Sequence, residues 1–345
     1  MNSPGWTVRK LNHEDSSDRA LLLPLLREYF DGGAGVDADA RYQWLYLDNP
    51  SGRARTYAAL VDDRAVGVTS LFPRTMRVGG SRTTGAIGGD GYVTPSFRKR
   101  GIVTALHQMA HRDLDVGLSF MFGPPEPANL RALLRAGAVV TGSVRRYTRA
   151  LRARGLGLRL PQFVPAGVLD RLLRPQASVL TLETLGRAPD PRVEQVWDAT
   201  ALDASPGEVL PVGDARFYAW RFGLSAGGRQ EGMIVLDAGR PVGVAAVERH
   251  GERRAIVDVT CTHSSFRKVV QAILASSADA DAVDIQIHIP CRMKELALWT
   301  LGFVPRGTKA FQVQLRVDDG ARTLLTTPAA WKYMWGDGDL GSVYE

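Results

Sequence analysis

The sequence predicts an α/β (α+β) fold arranged as two similar halves, and three observations carry that expectation. Strand-forming segments alternate with segments of helical apolar spacing along most of the chain. Short motifs recur at a fixed offset. Arg41-Tyr42-Gln43-Trp44 is matched by Arg216-Phe217-Tyr218-Ala219-Trp220, and Leu60…Arg64-Ala65-Val66-Gly67-Val68 by Leu236…Arg240-Pro241-Val242-Gly243-Val244, both 176 positions apart. Finally, a Gly-rich run, Ala86 to Val93, ends in β-formers, breaks at Pro95-Ser96 and passes through Arg98-Lys99-Arg100-Gly101 into an amphipathic helix.

The elements follow in order. Val8 and Leu11 mark a first strand over 7–12. Asp15 to Asp18 offers caps for a helix over Leu21 to Phe30, which Asp31-Gly32-Gly33 ends. Asp37 to Leu47 is a second helical stretch, closed by the turn Asn49-Pro50-Ser51-Gly52. Tyr57–Val61 and Ala65–Phe72 form a hairpin about Asp62-Asp63-Arg64, and Met76–Val78 and Thr83–Val93 are further strands. Past the basic turn, Ile102, Leu106, Met109 and Leu114 share a helical face. Leu118–Phe122 is a buried strand, Ala128-Asn129 caps a helix over Leu130–Arg135, and Val139–Leu151 is a strand. Leu133-Leu134-Arg135-Ala136-Gly137 has a counterpart in Leu298-Trp299-Thr300-Leu301-Gly302, now 165 positions on, so the second copy is 11 residues shorter across the region of the basic turn.

Composition bounds the function classes. A chain of 345 residues, 45% hydrophobic and 23% charged, is globular in character and long enough for two domains. No stretch approaches the roughly 20 apolar residues of a membrane span. The polar first fifteen residues do not read as a secretory signal, and the two distant cysteines, Cys261 and Cys291, read as reduced core residues of a cytoplasmic protein without metal spacing. The net charge of +7 equals that of one block, Arg145 to Arg174, with eight arginines and a single acid, Asp170. Such a block suits an anionic partner or a solvated linker; nucleic acid is not expected as a partner. The protein is expected to be a monomer or homodimer.

The basic turn is physically a place for a diphosphate. The first N–H groups of a helix lack partners within it and carry about half a positive charge, so an anion docks there. Gly101 adds no side chain to block it, and Arg98, Lys99 and Arg100 add charge. Arg98-Lys99-Arg100-Gly101-Ile102-Val103 resembles the Arg/Gln-x-x-Gly-x-Gly/Ala loop of the GNAT superfamily of N-acetyltransferases, with Val103 standing where the family has Gly or Ala. The resemblance implies that each half is a central, mostly antiparallel mixed sheet flanked by helices, and that this loop binds acetyl-CoA or another acyl-CoA as cosubstrate, with no metal. It further implies that Tyr92 and Val93 lie beside the coenzyme, that the Val93 N–H holds the oxyanion, and that Asn129 meets the coenzyme. In the second half, Thr262 to Val270 has Val where Gly101 sits in the first, so that half is expected to bind no coenzyme.

The expected division is a coenzyme-binding half over 1–151, an Arg/Pro-rich linker over 152–189, a degenerate half over 190–318 and a tail over 319–345 packed on the body. Direct attack of an amine on a thioester needs a base and an acid. Asp90, a lone acid three residues before Val93, reads as base or as a turn-forming group; Glu126 is the second candidate base, and Tyr147 the candidate acid. Asp337 and Asp339, in the Trp-rich tail, either hold an amine substrate or are solvated. His107 and His111, one turn apart, read as a solvated face. The expected activity is transfer from acyl-CoA to a primary amine of a small molecule, such as an amino sugar or natural-product intermediate. An aminoacyl-tRNA-dependent transferase and a non-catalytic acyl-CoA-binding protein are the alternatives.

Overall fold

The computed structural model describes residues 5–30, 37–115, 117–157, 166–223, 230–316, 319–334 and 336. The chain divides into two compact units, residues 1–142 with 309–328, and 143–308 with 329–345. The division therefore runs through two strands and does not follow a single cut near residue 151.

In the first unit β1 (Thr7–Leu11) leads to α1 (Ser16–Phe30), which starts where the Asp15 carboxylate accepts the Ser17 N–H at 2.8 Å. α2 (Ala38–Arg41) opens on Asp37, whose carboxylate accepts two backbone N–H groups, and continues as a π-helical turn, Tyr42–Leu47. β2 (Arg55–Val61) and β3 (Arg64–Val78) form the expected hairpin, with Asp62 and Asp63 both at positive φ, 46° and 60°, as a tight two-residue turn demands. β3 runs unbroken to Val78 and turns through Gly79-Gly80 into β4 (Ser81–Val93). Then come α3 (Ile102–Arg112), β5 (Phe120–Gly123), α4 (Pro127–Arg135) and β6 (Val139–Ala150). β1, β2, β3 and β4 pair antiparallel in that order, and β5 lies parallel to β4. One core joins Tyr57, Val66, Leu71, Ala86 and Val93 of the sheet to Ile102, Leu106 and Ala110 of α3. Fully burying each large aliphatic side chain contributes about 1.5–3 kcal/mol. Gly67 lets α3 sit close on the sheet, for a Cβ there would lie 2.9 Å from the Ile102 Cγ2.

The second unit repeats this order. α5 (Ala166–Leu173), β7 (Thr181–Thr184), α6 (Pro191–Asp203), β8 (Val209–Pro211) and α7 (Ala215–Phe222) precede β9 (Gln230–Asp237), β10 (Arg240–His250) and β11 (Arg253–Thr260). α8 (Phe266–Ser276), β12 (Ala282–Ile289) and α9 (Arg292–Thr300) follow, after which β13 (Val304–Leu315) crosses into the first unit at residue 309 and α10 (Asp319–Thr326) belongs to that unit. β7, β9, β10 and β11 pair antiparallel and β12 lies parallel to β11, as β1 to β5 do in the first unit. α5 and β7 fall in the segment read as linker, and β7 is the edge strand of this sheet.

The two halves exchange their last strands. β6 pairs with β12 over eight residues, from Ala150↔Ala282 to Ser143↔Ile289, whereas β13 returns to pair with β5 from Gln312↔Gly123 to Leu315↔Phe120. Three arginines of the basic block, Arg145, Arg146 and Arg149, are thus strand residues and not a linker helix; burial lowers the pKa of Arg149. Arg159 and the tail acids Asp337 and Asp339 lie outside the described residues. Trp331, Tyr333 and Met334 are buried in the second unit, where the Tyr333 carbonyl accepts the His288 N–H at 3.1 Å. Among the described residues no helix is long and apolar enough to cross a membrane, and no cluster of His, Cys, Asp or Glu is arranged to hold a metal.

Candidate active site

β4 and β5 pair through three residues only, Gly85↔Phe120, Ala86↔Met121 and Ile87↔Phe122, although β4 continues to Val93. From Gly88 onward the two parallel strands part and the edge of β4 lines a wedge. On the other edge, the Thr94 N–H donates to the Val66 carbonyl at 3.0 Å. Because N–H groups alternate along a strand, the Val93 N–H faces the wedge. The Val93 carbonyl faces the same way and accepts the Arg98 Nε–H at 3.0 Å, which folds Arg98 back beside the strand end.

Just before this point β4 carries an extra residue. Gly89 pairs with Ser70 and Tyr92 with Val68, so three steps on β4 match two on β3, and Asp90 takes φ 49° in the bulge. Asp90 is buried, and its carboxylate accepts the Arg41 Nη2 at 2.6 Å, the Arg41 Nε at 3.2 Å and the Tyr46 hydroxyl at 2.9 Å. Burial, and then the Asp90 charge, hold the Tyr46 phenol well above its ordinary pKa, so it stays a donor. Asp90 is therefore not free to take a proton from a substrate; it is engaged by a guanidinium and a phenol that fix the bulge.

Gly101 caps α3 at φ 83°, a left-handed conformation that favours glycine, and a Cβ there would meet nothing within 4 Å. The space in front of it is open. The Ala105 N–H is the first to bond inside the helix, to the Gly101 carbonyl at 3.1 Å, which leaves those of Ile102, Val103 and Thr104 without an intrahelical acceptor. Lys99, at φ 63°, and Arg100 are exposed beside them, and the Arg100 guanidinium lies 5.0 Å over the Phe97 ring. Ile102 is buried. Val103 packs against the same core, so its departure from the Gly/Ala pattern is absorbed by the core cluster. These residues fit a diphosphate: a cradle clear of side chains, unpaired N–H groups and exposed cations.

The other candidates lie elsewhere. Glu126, not Asn129, caps α4; it is exposed and pairs with Lys309 at 2.7 Å. Asn129 is the third residue of that helix, half-buried, its N–H on the Glu126 carbonyl at 2.9 Å. Tyr147 belongs to the second unit, fully buried, its hydroxyl donating to Glu295 at 2.6 Å. Burial and that carboxylate push the phenol up to about 12. His107 is buried, not solvated; desolvation lowers its pKa to about 4, and its Nδ1 is buried without a partner. Val269 and Val270 lie inside α8, both fully buried, and the residue at the helix start is Ser265, at φ −87°. The helix of the second half therefore starts without a left-handed glycine at the place of Gly101. One acid was not singled out by the sequence. Glu28, exposed on α1, accepts the Tyr92 hydroxyl at 3.0 Å and the Thr94 hydroxyl at 3.5 Å, at the very end of β4. Its helical position carries no signal of a contact 64 residues away.

Comparison with known proteins agrees with this geometry. Residues 23–128 match the model of an acetyltransferase (GNAT) domain. No curated protein matches the chain. Among solved structures, a GCN5-related N-acetyltransferase from Anabaena variabilis shares 15% identity at a TM-score of 0.62, covering 89% of this chain and 72% of that one. A probable N-acyltransferase from Enterococcus faecalis, described as a conserved protein of unknown function, shares 14% at 0.64, over 90% and 72%. N-myristoyltransferase of Saccharomyces cerevisiae with bound myristoyl-CoA shares 12% at 0.61, over 92% and 82%. Residues 23–128 thus match an acetyltransferase (GNAT) domain, and the chain shares the fold of these solved N-acetyltransferases and N-acyltransferases over nearly its whole length.

Proposed function

We propose that this chain transfers the acyl group of acetyl-CoA, or another acyl-CoA, to the primary amine of a small molecule. The observation that carries the reading is the junction of the β4–β5 wedge with an open, glycine-capped helix start. The diphosphate sits on the N–H groups of Ile102, Val103 and Thr104, flanked by Lys99 and Arg100, and the thioester lies along the free edge of β4. The amine nitrogen attacks the thioester carbon. The C–N bond forms as the C–S bond breaks, and the Val93 N–H stabilises the transient oxyanion. The proton leaving the amine passes to Glu28, and the departing thiolate is protonated from water. Asp90, Arg41 and Tyr46 keep the strand bulged so that the Val93 N–H stays aimed. Holding both reactants in place contributes about 7–11 kcal/mol in well-oriented systems. A tRNA-charged donor has no need of a diphosphate cradle, so the coenzyme reading is preferred to the aminoacyl-tRNA one. The test is release of free thiol from acetyl-CoA across a panel of amines. Amine-dependent release supports the proposal; coenzyme binding without release for any amine makes the chain a non-catalytic binder.

A further inference from the structure

The second unit contains a cavity of about 310 Å³ lined only by its own residues. It lies beside the end of β11, walled by residues of α6, β8, α8 and α9. β11 and β12 pair in parallel from Arg253↔Ala282 to Ile256↔Ile285 and then part, while β11 continues to Thr260. The register makes this the counterpart of the first wedge, for Val244 pairs with Thr260 as Val68 pairs with Tyr92, which sets Asp258 at the place of Asp90. The Tyr218 hydroxyl donates to Asp258 at 2.7 Å, as Tyr46 does to Asp90. Two things differ from the first unit: the tail takes the edge of β12 that β11 leaves, with Met334 bridging Ile287 and the Tyr333 carbonyl accepting the His288 N–H at 3.1 Å, and α8 begins at Ser265 without a left-handed glycine.

The lining describes what fits. Trp197, Leu210, Val259 and Phe266 supply apolar walls. Glu208 lines the cavity with one oxygen, Oε1, 3.1 Å from the Lys332 ammonium and 3.6 Å from His263, while its Oε2 is buried with no hydrogen-bond partner. Glu208 thus brings a negative charge to the wall of the cavity. Lys294 and Arg267 also line the space. Lys294 lies 5.3 Å over the Phe266 ring and Arg267 donates to the Thr300 hydroxyl at 3.2 Å; among the described residues neither has a carboxylate partner. The volume is at the small end for ligand pockets, about 300–1,000 Å³. We propose that this cavity is a second small-molecule site, distinct from the coenzyme site, for an apolar zwitterion of amino-acid type. Its ammonium meets Glu208, its carboxylate meets Lys294 and Arg267, and its apolar side chain fills the wall.

L-Phenylalanine is the probe, titrated into the full-length protein and followed through the isotope-labelled methyl of Met293, an exposed residue on the cavity lip. The expected result is a saturable shift of that signal in the millimolar range or tighter, unaffected by saturating coenzyme A. Phenylalanine amide, which lacks the carboxylate, and N-acetylphenylalanine, which lacks the ammonium, bind at least about tenfold more weakly, the loss of one hydrogen bond to a charged group. Glu208→Gln reproduces the N-acetyl loss. Lys294→Met reproduces the amide loss independently, should Glu208→Gln perturb the fold. No shift of Met293, equal binding of all three compounds, or displacement of phenylalanine by coenzyme A overturns the proposal. None of these outcomes bears on thiol release at the first wedge.

Discussion

At the scale of single residues, the first half sets two acids at the end of β4 in opposite circumstances. Asp90 is enclosed, with Arg41 and Tyr46 on its oxygens, whereas Glu28 is exposed and receives only neutral hydroxyls. Different consequences follow from removing each. Asp90→Asn breaks the buried ion pair with Arg41, a loss of about 3–5 kcal/mol, so thermal unfolding shifts down by on the order of 10 °C. An unchanged unfolding temperature with lost turnover would instead mark Asp90 as the proton acceptor. Glu28→Gln is expected to lower kcat about 10²-fold or more, with coenzyme affinity held within a factor of two or so by calorimetry; full turnover in that variant removes Glu28 from the reaction. Asp90 stood out because it is a lone acid in a Gly-rich strand, but that pattern cannot distinguish an acid facing substrate from one facing Arg41, whose partnership spans 49 positions.

At the scale of elements, the strand–turn–helix around Gly101 was legible because each part has a local cause. β-formers, a Pro-Ser break, a glycine able to take φ 83° and an apolar helical face all agree. The α3 face was misread at one place. His107 looked polar and therefore solvated, yet it is buried against the core with its pKa at about 4, below the ordinary 6.5. The unfolded chain binds its proton more readily than the native one. The native state therefore holds its full margin above pH 6.5 and loses it as the pH falls from 6.5 towards 4, by about 3 kcal/mol at most. Urea titrations of the wild type at pH 7 and near pH 4.5 are expected to show that loss. His107→Leu is expected to flatten part of it, the remainder belonging to His288, whose pKa is also about 4. An identical slope in both proteins would mean that His107 charges freely in the native state. The cap of α4 was misplaced for a related reason, since Pro127 at the first helical position allows the helix to start before Asn129.

At the scale of the molecule, the repeat at 176 positions is a true repeat of architecture, with the β2–β3 and β9–β10 hairpins at matching places in their sheets. The exchange of β6 and β13 left no trace in the sequence, because a strand's pattern of apolar residues records that one face is buried but not which neighbour it pairs with. It has a physical consequence. A fragment of residues 1–151 lacks β13 and exposes the β5 edge, while its own β6 has lost β12. Such a fragment is expected to aggregate or to unfold without a cooperative transition, and a cooperative transition in the isolated fragment would contradict the exchange. The most direct test of the whole account is a calorimetric titration of the full chain with acetyl-CoA, alongside Gly101→Val. One coenzyme per chain is expected for the wild type. Loss of measurable binding is expected for the variant, because a side chain strains the left-handed turn and occupies the diphosphate space. Two coenzymes per chain, or undiminished affinity in Gly101→Val, would contradict the account.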